Sequence, residues 1–210
     1  MKAVIIDYNA GNICSVENAL KRLGVEPIIT ADQHLIQNAD KVIFPGVGEA
    51  ATTMSFLQES GLDNVIKHLE QPVLGICLGM QLMCRYSEEG NTHCLGIFDA
   101  DVKRFVTVRH EDKVPHMGWN TIYNLRNGEK VLNGGLGAGP GLFQGVADNS
   151  YVYFVHSYYV PVNDCTVATT DYIQPFSAAI QKNNFYATQF HPEKSGSIGE
   201  QILKNFLFEI

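Results

Sequence analysis

Four short apolar runs, residues 2–7, 26–30, 41–44 and 73–76, punctuate the first third of the chain, and between them lie stretches with helical spacing. Val16, Leu20 and Leu23 place a helix over 12–23 with Gly24 as its stop. Weaker helical patterns cover 33–38, 54–57 and 65–69. Runs this short are strands rather than helices, and strands that alternate with helices must pair in parallel with the helices lying on the sheet faces. That predicts an α/β sheet for this half.

The second half changes character. Residues 102–108, 120–124, 151–160, 166–169, 177–181 and 185–190 are β-rich, and Lys182-Asn183-Asn184 suits a tight hairpin because Asn tolerates positive φ. A closing helix is expected over 198–208. Tyr151, Tyr153, Phe154, Tyr158 and Tyr159 are expected to fill both faces of one strand. Between 128 and 145 lie seven glycines, too few side chains for a core element, which predicts a surface loop. No repeat or linker divides the 210 residues, so a single domain spanning 1–210 is expected.

Charge and cysteine content narrow the function classes. A net charge of −7 offers a phosphate backbone no cationic field, which argues against a nucleic-acid partner. No apolar stretch approaches the ~18 residues that a membrane span needs. The start of the chain turns acidic at Asp7, too early for a signal peptide, so a cytoplasmic location is expected. Five cysteines, at 14, 77, 84, 94 and 165, have no C-x-x-C spacing, and most are expected to be reduced, buried and inert. The histidines at 34, 68, 93, 110, 116 and 156 form no H-E-x-x-H pair, so neither a metal nor a cofactor is expected.

One cysteine stands apart. In Gly75-Ile-Cys77-Leu-Gly79 a buried strand turns into a helical pattern, the context of a nucleophile elbow with Cys in place of Ser. Two glycines permit the tight turn, and a thiol at the amino end of a helix is favoured as thiolate. The plain alternative is that Cys77 is a small buried hydrophobe. A thiolate nucleophile needs a base, and the base needs an orienter. In Gln189-Phe-His191-Pro-Glu193 residues two apart can face the same way, so Glu193 could hold the His191 imidazole, although H-P-E alone is as well a turn with a solvated Glu. Pro45-Gly46-Val47-Gly48 follows another predicted strand. Its glycines would let backbone N–H groups approach an oxyanion, or simply make a strand-to-helix turn. Trp119, on these grounds alone, is a core or hairpin aromatic.

The order P-G-V-G, G-I-C-L-G-M-Q, Q-F-H-P-E resembles the class I, triad-type glutamine amidotransferases. Asp7-Tyr-Asn-Ala-Gly-Asn12 with Ser15, Ser87-Glu-Glu-Gly90, Pro115-His-Met-Gly-Trp-Asn120 and Tyr153-Phe-Val-His-Ser-Tyr158 resemble the branch whose glutaminase subunit serves a (β/α)8-barrel cyclase of histidine biosynthesis. The resemblance runs over essentially the whole chain. It implies a flavodoxin-like, mostly parallel sheet flanked by helices, with added antiparallel strands in the second half. It further implies Cys77 as nucleophile, His191 as general base and acid, and Glu193 as its orienter. An oxyanion hole would come from Leu78 and from Gly46, Val47 and Gly48. Gln81 and Glu89 would hold the substrate glutamine, and Ser157 and Tyr158 would form a ledge for its carboxylate. Asn12, Ser15, Trp119, Asn120 and Lys194 would lie at the interface with the barrel in a heterodimer. Feeding a different synthase, or a catalytically silent subunit, are the competing implications. Residues 126–148 look longer than the family usually has, which bears on docking and leaves the matched catalytic positions untouched.

Overall fold

The computed structural model describes residues 1–8, 13–46, 48–126 and 141–210. The first half follows the predicted alternation. Strand β1 (Ala3–Ile6) leads to helix α1 (Ile13–Arg22), β2 (Ile28–Thr30), α2 (Gln33–Gln37), β3 (Lys41–Phe44), α3 (Ala50–Ser60), α4 (Leu62–Lys67) and β4 (Val73–Ile76). Beyond α1, Gly24 takes φ +81°, a left-handed turn that stops the helix at little steric cost. β1, β3 and β4 are buried at every position, as strands covered on both faces must be.

Helix α5 (Leu78–Met83) and the short strands β5 (Tyr86–Ser87), β6 (Thr92–His93) and β7 (Asp101–Arg104) come next. The second half continues with β8 (His116–Ile122), β9 (Ser150–His156), β10 (Tyr158–Tyr159), β11 (Thr166–Asp171), β12 (Pro175–Lys182) and β13 (Phe185–Thr188), and the closing helix is α6 (Gly196–Phe208). Among the described residues one sheet has the order β11-β12-β13-β4-β3-β1-β2, with β13, β4, β3, β1 and β2 parallel and β11 and β12 antiparallel at one edge. β10-β7-β5-β6 and β8-β9 form two smaller sheets. Two apolar clusters fill the two faces of the main sheet. One is built around α1, α6 and the β8-β9 pair, the other around α3, α4 and α5. Among the described residues no helix is long and apolar enough to cross a membrane.

Several expectations need correction. The strand predicted over 102–108 ends at Arg104, because its partner β10 offers only Tyr158 and Tyr159. Val106 and Val108 are left exposed. The run 151–160 breaks at Ser157: β9 pairs with β8, and β10 turns away to β7. The strand expected at 120–124 begins earlier, at His116. Strands β5 and β6 are not legible in the sequence, being two residues each. The Asn183 turn is as predicted, at φ +53°. Tyr151 does not fill a packed face but stands 61% exposed. Most of the glycine-rich segment, 127–140, lies outside the described residues. Its described end is a turn that is buried at 141–143, where Leu142 and Phe143 pack inward and Asn205 Nδ2 donates to the carbonyls of Leu142 (3.0 Å) and Gln144 (2.8 Å), and exposed at Gln144 and Gly145. None of the five cysteines is paired, but most are not buried: only Cys77 and Cys84 are, while Cys94 and Cys165 are half-buried and Cys14 is exposed.

Candidate active site

Strands β3, β4 and β13 are neighbours in the sheet and run parallel, so the segments that follow them emerge side by side at their carboxyl ends. In open α/β sheets such a rim is where ligands bind. These segments are the three motifs: Pro45-Gly46 after β3, Cys77 after β4, and Gln189 to Glu193 after β13. Residues more than a hundred positions apart in sequence thus meet through strand pairing, and the Cys77 amide donates to the Thr188 carbonyl at 2.8 Å.

Cys77 sits at φ 54°, ψ −106°, a conformation that costs a non-glycine residue of order 1–3 kcal/mol. The flanking glycines make the turn possible. A Cβ on Gly79 would stand 2.1 Å from the Phe44 carbonyl oxygen, and one on Gly46 would stand 2.3 Å from the Gly79 nitrogen. The helix after the nucleophile therefore packs directly onto the backbone of β3 and its turn. Tyr8, buried at the end of β1, donates its hydroxyl to the Pro45 carbonyl and fastens the same turn. Burial raises the Tyr8 pKa, and the nearby Cys77 raises it further. Gly48 takes φ +126°, open only to glycine at ordinary cost.

His191 Nδ1 lies 2.8 Å from Glu193 Oε1, both side chains fully buried. Pro192, at the start of the 3-10 turn Pro192–Lys194, sets the bend that brings them together. The other ring nitrogen, Nε2, is buried and makes no hydrogen bond of regular geometry. Burial pushes the His191 pKa down, but Cys77 and Glu193 together outweigh it and bring it up to about 10. The imidazole is thus poised between a sulfur on one side and a carboxylate on the other, the geometry of a nucleophile, base and orienter.

A cavity of about 360 Å³ is lined by Gly48, Cys77, Leu78, Gln81, Glu89, Pro115, Val155, His156, Ser157, Tyr158 and His191. It gathers the predicted nucleophile and base, the predicted substrate contacts Gln81, Glu89, Ser157 and Tyr158, and two of the predicted oxyanion positions, Gly48 and Leu78. Gly46 lies behind it, against α5. Val47 lies outside the described residues. Glu89 reaches the cavity while its Oε2 accepts from the Ala50 amide at 2.9 Å, capping α3, and burial raises its pKa. Gln81 is almost fully buried, with Nε2 donating to the Tyr158 carbonyl (3.1 Å) and to Gln189 Oε1 (3.0 Å). Among the described residues no group of three His, Cys, Asp or Glu side chains could hold a metal ion.

Some residues of the site escape a reading of the sequence. His156 lines the cavity, donating through Nδ1 to the Tyr158 carbonyl at 2.7 Å, and its Nε2 lies 3.0 Å from His116 Nδ1. Asn120 Nδ2 lies 3.3 Å from His116 Nε2. The sequence marks neither histidine as a ligand, and nothing in their spacing shows that the β8-β9 register places them opposite one another. The outer face of that hairpin carries Met117, Trp119 and Tyr151, with Trp119 55% exposed and edge-on to Tyr153. The Trp119 expectation as a hairpin aromatic holds and that as a core aromatic does not. Lys194, exposed in its 3-10 turn, and Ser15 on α1 are further predicted interface positions within the described residues, and Asn12 lies outside them.

Known proteins bear on this geometry. The model of the family "Glutamine amidotransferase class-I" matches residues 4–210. The chain is 65% identical over 207 residues to the imidazole glycerol phosphate synthase subunit HisH of Bacteroides fragilis, covering 99% of each chain. It is 47% identical over 208 residues to the subunit of the same name from Escherichia coli, again covering 99% of each. The crystal structure of a glutamine amidotransferase from Thermotoga maritima has the same fold, with a TM-score of 0.59 at 15% identity over 98% of this chain and 82% of that one. From the ends of its three parallel strands to its closing helix, the chain belongs to the class I glutamine amidotransferase family.

Proposed function

We propose that the chain is the glutaminase subunit of an imidazole glycerol phosphate synthase, a heterodimer with a (β/α)8-barrel cyclase, and that Cys77, His191 and Glu193 are its catalytic triad. The observation that supports this best is the convergence of Cys77, His191 and the four expected glutamine contacts on one cavity. The resemblance to the HisH subunits over 99% of the chain supports the choice of synthase. Five unpaired cysteines fit a reducing cytoplasm.

Cys77 Sγ, as thiolate, attacks the side-chain carboxamide of glutamine. The developing oxyanion is held by the Leu78 N–H and by backbone N–H groups of the segment Gly46, Val47 and Gly48. The tetrahedral intermediate collapses with cleavage of the C–N bond, and His191 gives its proton to the departing nitrogen, which leaves as ammonia. His191 then takes a proton from water as the water attacks the thioester, and glutamate leaves as the thiolate re-forms. Each oxyanion donor is worth on the order of 100- to 1000-fold in rate. Gln81, with its nitrogen committed to Tyr158 and Gln189, offers the substrate its carbonyl oxygen. Glu89 matches the substrate's ammonium in charge, and Ser157 with Tyr158 presents backbone to its carboxylate.

Ammonia passes into the barrel, where it completes the imidazole ring, giving imidazole glycerol phosphate and aminoimidazole carboxamide ribotide. The docking surface takes in the outer face of β8-β9 with Trp119, together with Asn120 on the other face of the same strand, Lys194 and Ser15, and Asn12 is assigned to the same interface by the resemblance alone. The test mixes the purified chain with a histidine-pathway barrel cyclase and its ribonucleotide substrate and follows glutamate release from glutamine. Release that rises on adding both, and is lost in Cys77→Ala, is the expected result. Equal glutamate release in the Cys77→Ala protein overturns the chemistry, and no stimulation by that partner overturns the choice of synthase.

A further inference from the structure

Gln189 is buried completely, two residues before the proposed base, and does not line the cavity. Its Nε2 nevertheless lies 3.7 Å from Cys77 Sγ, within N–H···S reach. Which end of an amide faces the sulfur is decided by its other neighbours. The Tyr158 carbonyl can only accept, so Gln81 must turn its Nε2 toward it, at 3.1 Å. The second hydrogen of that nitrogen then goes to Gln189, whose oxygen accepts it at 3.0 Å. With its oxygen so engaged, Gln189 is left pointing an N–H at the sulfur. The Tyr158 carbonyl is itself held from a second side by His156 Nδ1 at 2.7 Å, so the start of this chain of donors is fixed.

We propose that Gln189 is a positioning residue for the nucleophile, its side-chain N–H aimed at Cys77 Sγ by the Tyr158 carbonyl acting through Gln81. The inference deepens the glutaminase reading, since it concerns the same sulfur. The sulfur has the Val155 carbonyl of β9 at 3.8 Å and Gln189 Nε2 at 3.7 Å, and its charge acts on His191 after β13 and on the buried Tyr8 beyond β1. Gln189 contributes a neutral donor whose position does not depend on protonation. It supports the sulfur whenever negative charge resides there, before attack on the carboxamide and again when the thioester opens and sulfur leaves. The amide sits behind Cys77 and meets the cavity only through Gln81 and Cys77, so where the Gln81 contact is kept it acts on turnover rather than on glutamine binding.

Gln189→Glu keeps the shape and still accepts from Gln81, but faces the sulfur with an acceptor, while Gln189→Leu removes the polar group altogether. Two readouts are taken on each. In the full chain with its barrel partner, kcat for glutamate release is expected to fall at least tenfold with KM within about twofold, as for loss of one hydrogen bond to a charged group. In the full chain alone, alkylation of Cys77 by iodoacetamide, followed on the peptide that contains it, is expected to slow about tenfold at pH 7. A substitution that merely loosened the fold would speed alkylation instead. Unchanged alkylation in Gln189→Glu, with the native circular dichroism spectrum retained, overturns the proposal, as does a loss confined to KM. The alkylation readout uses no glutamine, so it stands even if the synthase reading fails. If Gln189→Leu does not fold, Gln189→Glu decides alone.

Discussion

At the scale of single residues, the elbow is a problem of space before it is one of chemistry. Gly79 touches the Phe44 carbonyl so closely that a methyl group must displace the backbone of β3 or of α5. Forcing a side chain into a packed site of this kind costs about 3 kcal/mol. Gly79→Ala is therefore expected to lower the unfolding free energy by about that much in a urea titration, and to reduce glutamate release beyond what the loss of folded protein explains. The His191 and Glu193 pair makes a second prediction, with a definite sign. The His191 pKa is raised in the folded chain to about 10, so its protonated form contributes stability that is fully present below about 6.5 and lost as pH rises through 10. Breaking such a buried pair from one side costs roughly 3–5 kcal/mol. Glu193→Gln should accordingly be less stable than the parent chain at pH 7 to 8 by denaturant titration, with the difference shrinking above pH 10.

Among the elements, β8-β9 joins the cavity to the outer surface. Its inner side places His116 against His156, both packed among Phe154 and Phe176, and burial pulls their pKa values down to about 4 and about 3. A histidine kept neutral in the folded state but free to protonate when unfolded destabilises the fold as pH falls below 6.5, by up to about 1.4 kcal/mol per pH unit for each ring. Stability measured at pH 7, 5.5 and 4 should decline, and His116→Asn should flatten part of that decline while lowering the value at pH 7. A slope unchanged in the variant would show that His116 is not held neutral. The outer side of the same hairpin carries Met117, Trp119 and Tyr151. An exposed aromatic at the centre of a docking face is the kind of residue whose truncation costs 2 kcal/mol or more, about thirtyfold in Kd. Trp119→Ala should weaken binding to the barrel cyclase by at least that factor in a titration, leaving the isolated chain's melting temperature within a degree or two.

For the molecule as a whole, the parallel half was legible because each buried strand is a short uninterrupted apolar run bounded by glycine, proline or acidic residues. The antiparallel half was less so, since a continuous β-rich run such as 151–160 carries no local mark of where one partner ends and another begins. Ser157 divides it because β9 pairs with β8 while β10 pairs with β7. Cys77, His191 and Glu193, the proposed triad, could be read as separate motifs from glycine spacing and from H-P-E. Gln189, His116 and His156 could not, because their roles follow from strand register and from which end of an amide faces a carbonyl. By itself, then, the sequence determined the strand-helix alternation and the glycine-framed turn at Cys77, and it placed His191 and Glu193 two apart, where they could pair, all of which depend on neighbours a few positions away. Only the tertiary structure decided that β3, β4 and β13 lie side by side, that three loops share one cavity, and that the cysteine is backed by a buried amide. Those facts depend on contacts between residues as far apart as Cys77 and Thr188, and pairing over such distances is settled when the two faces of the sheet are covered together, not by any local preference of the chain.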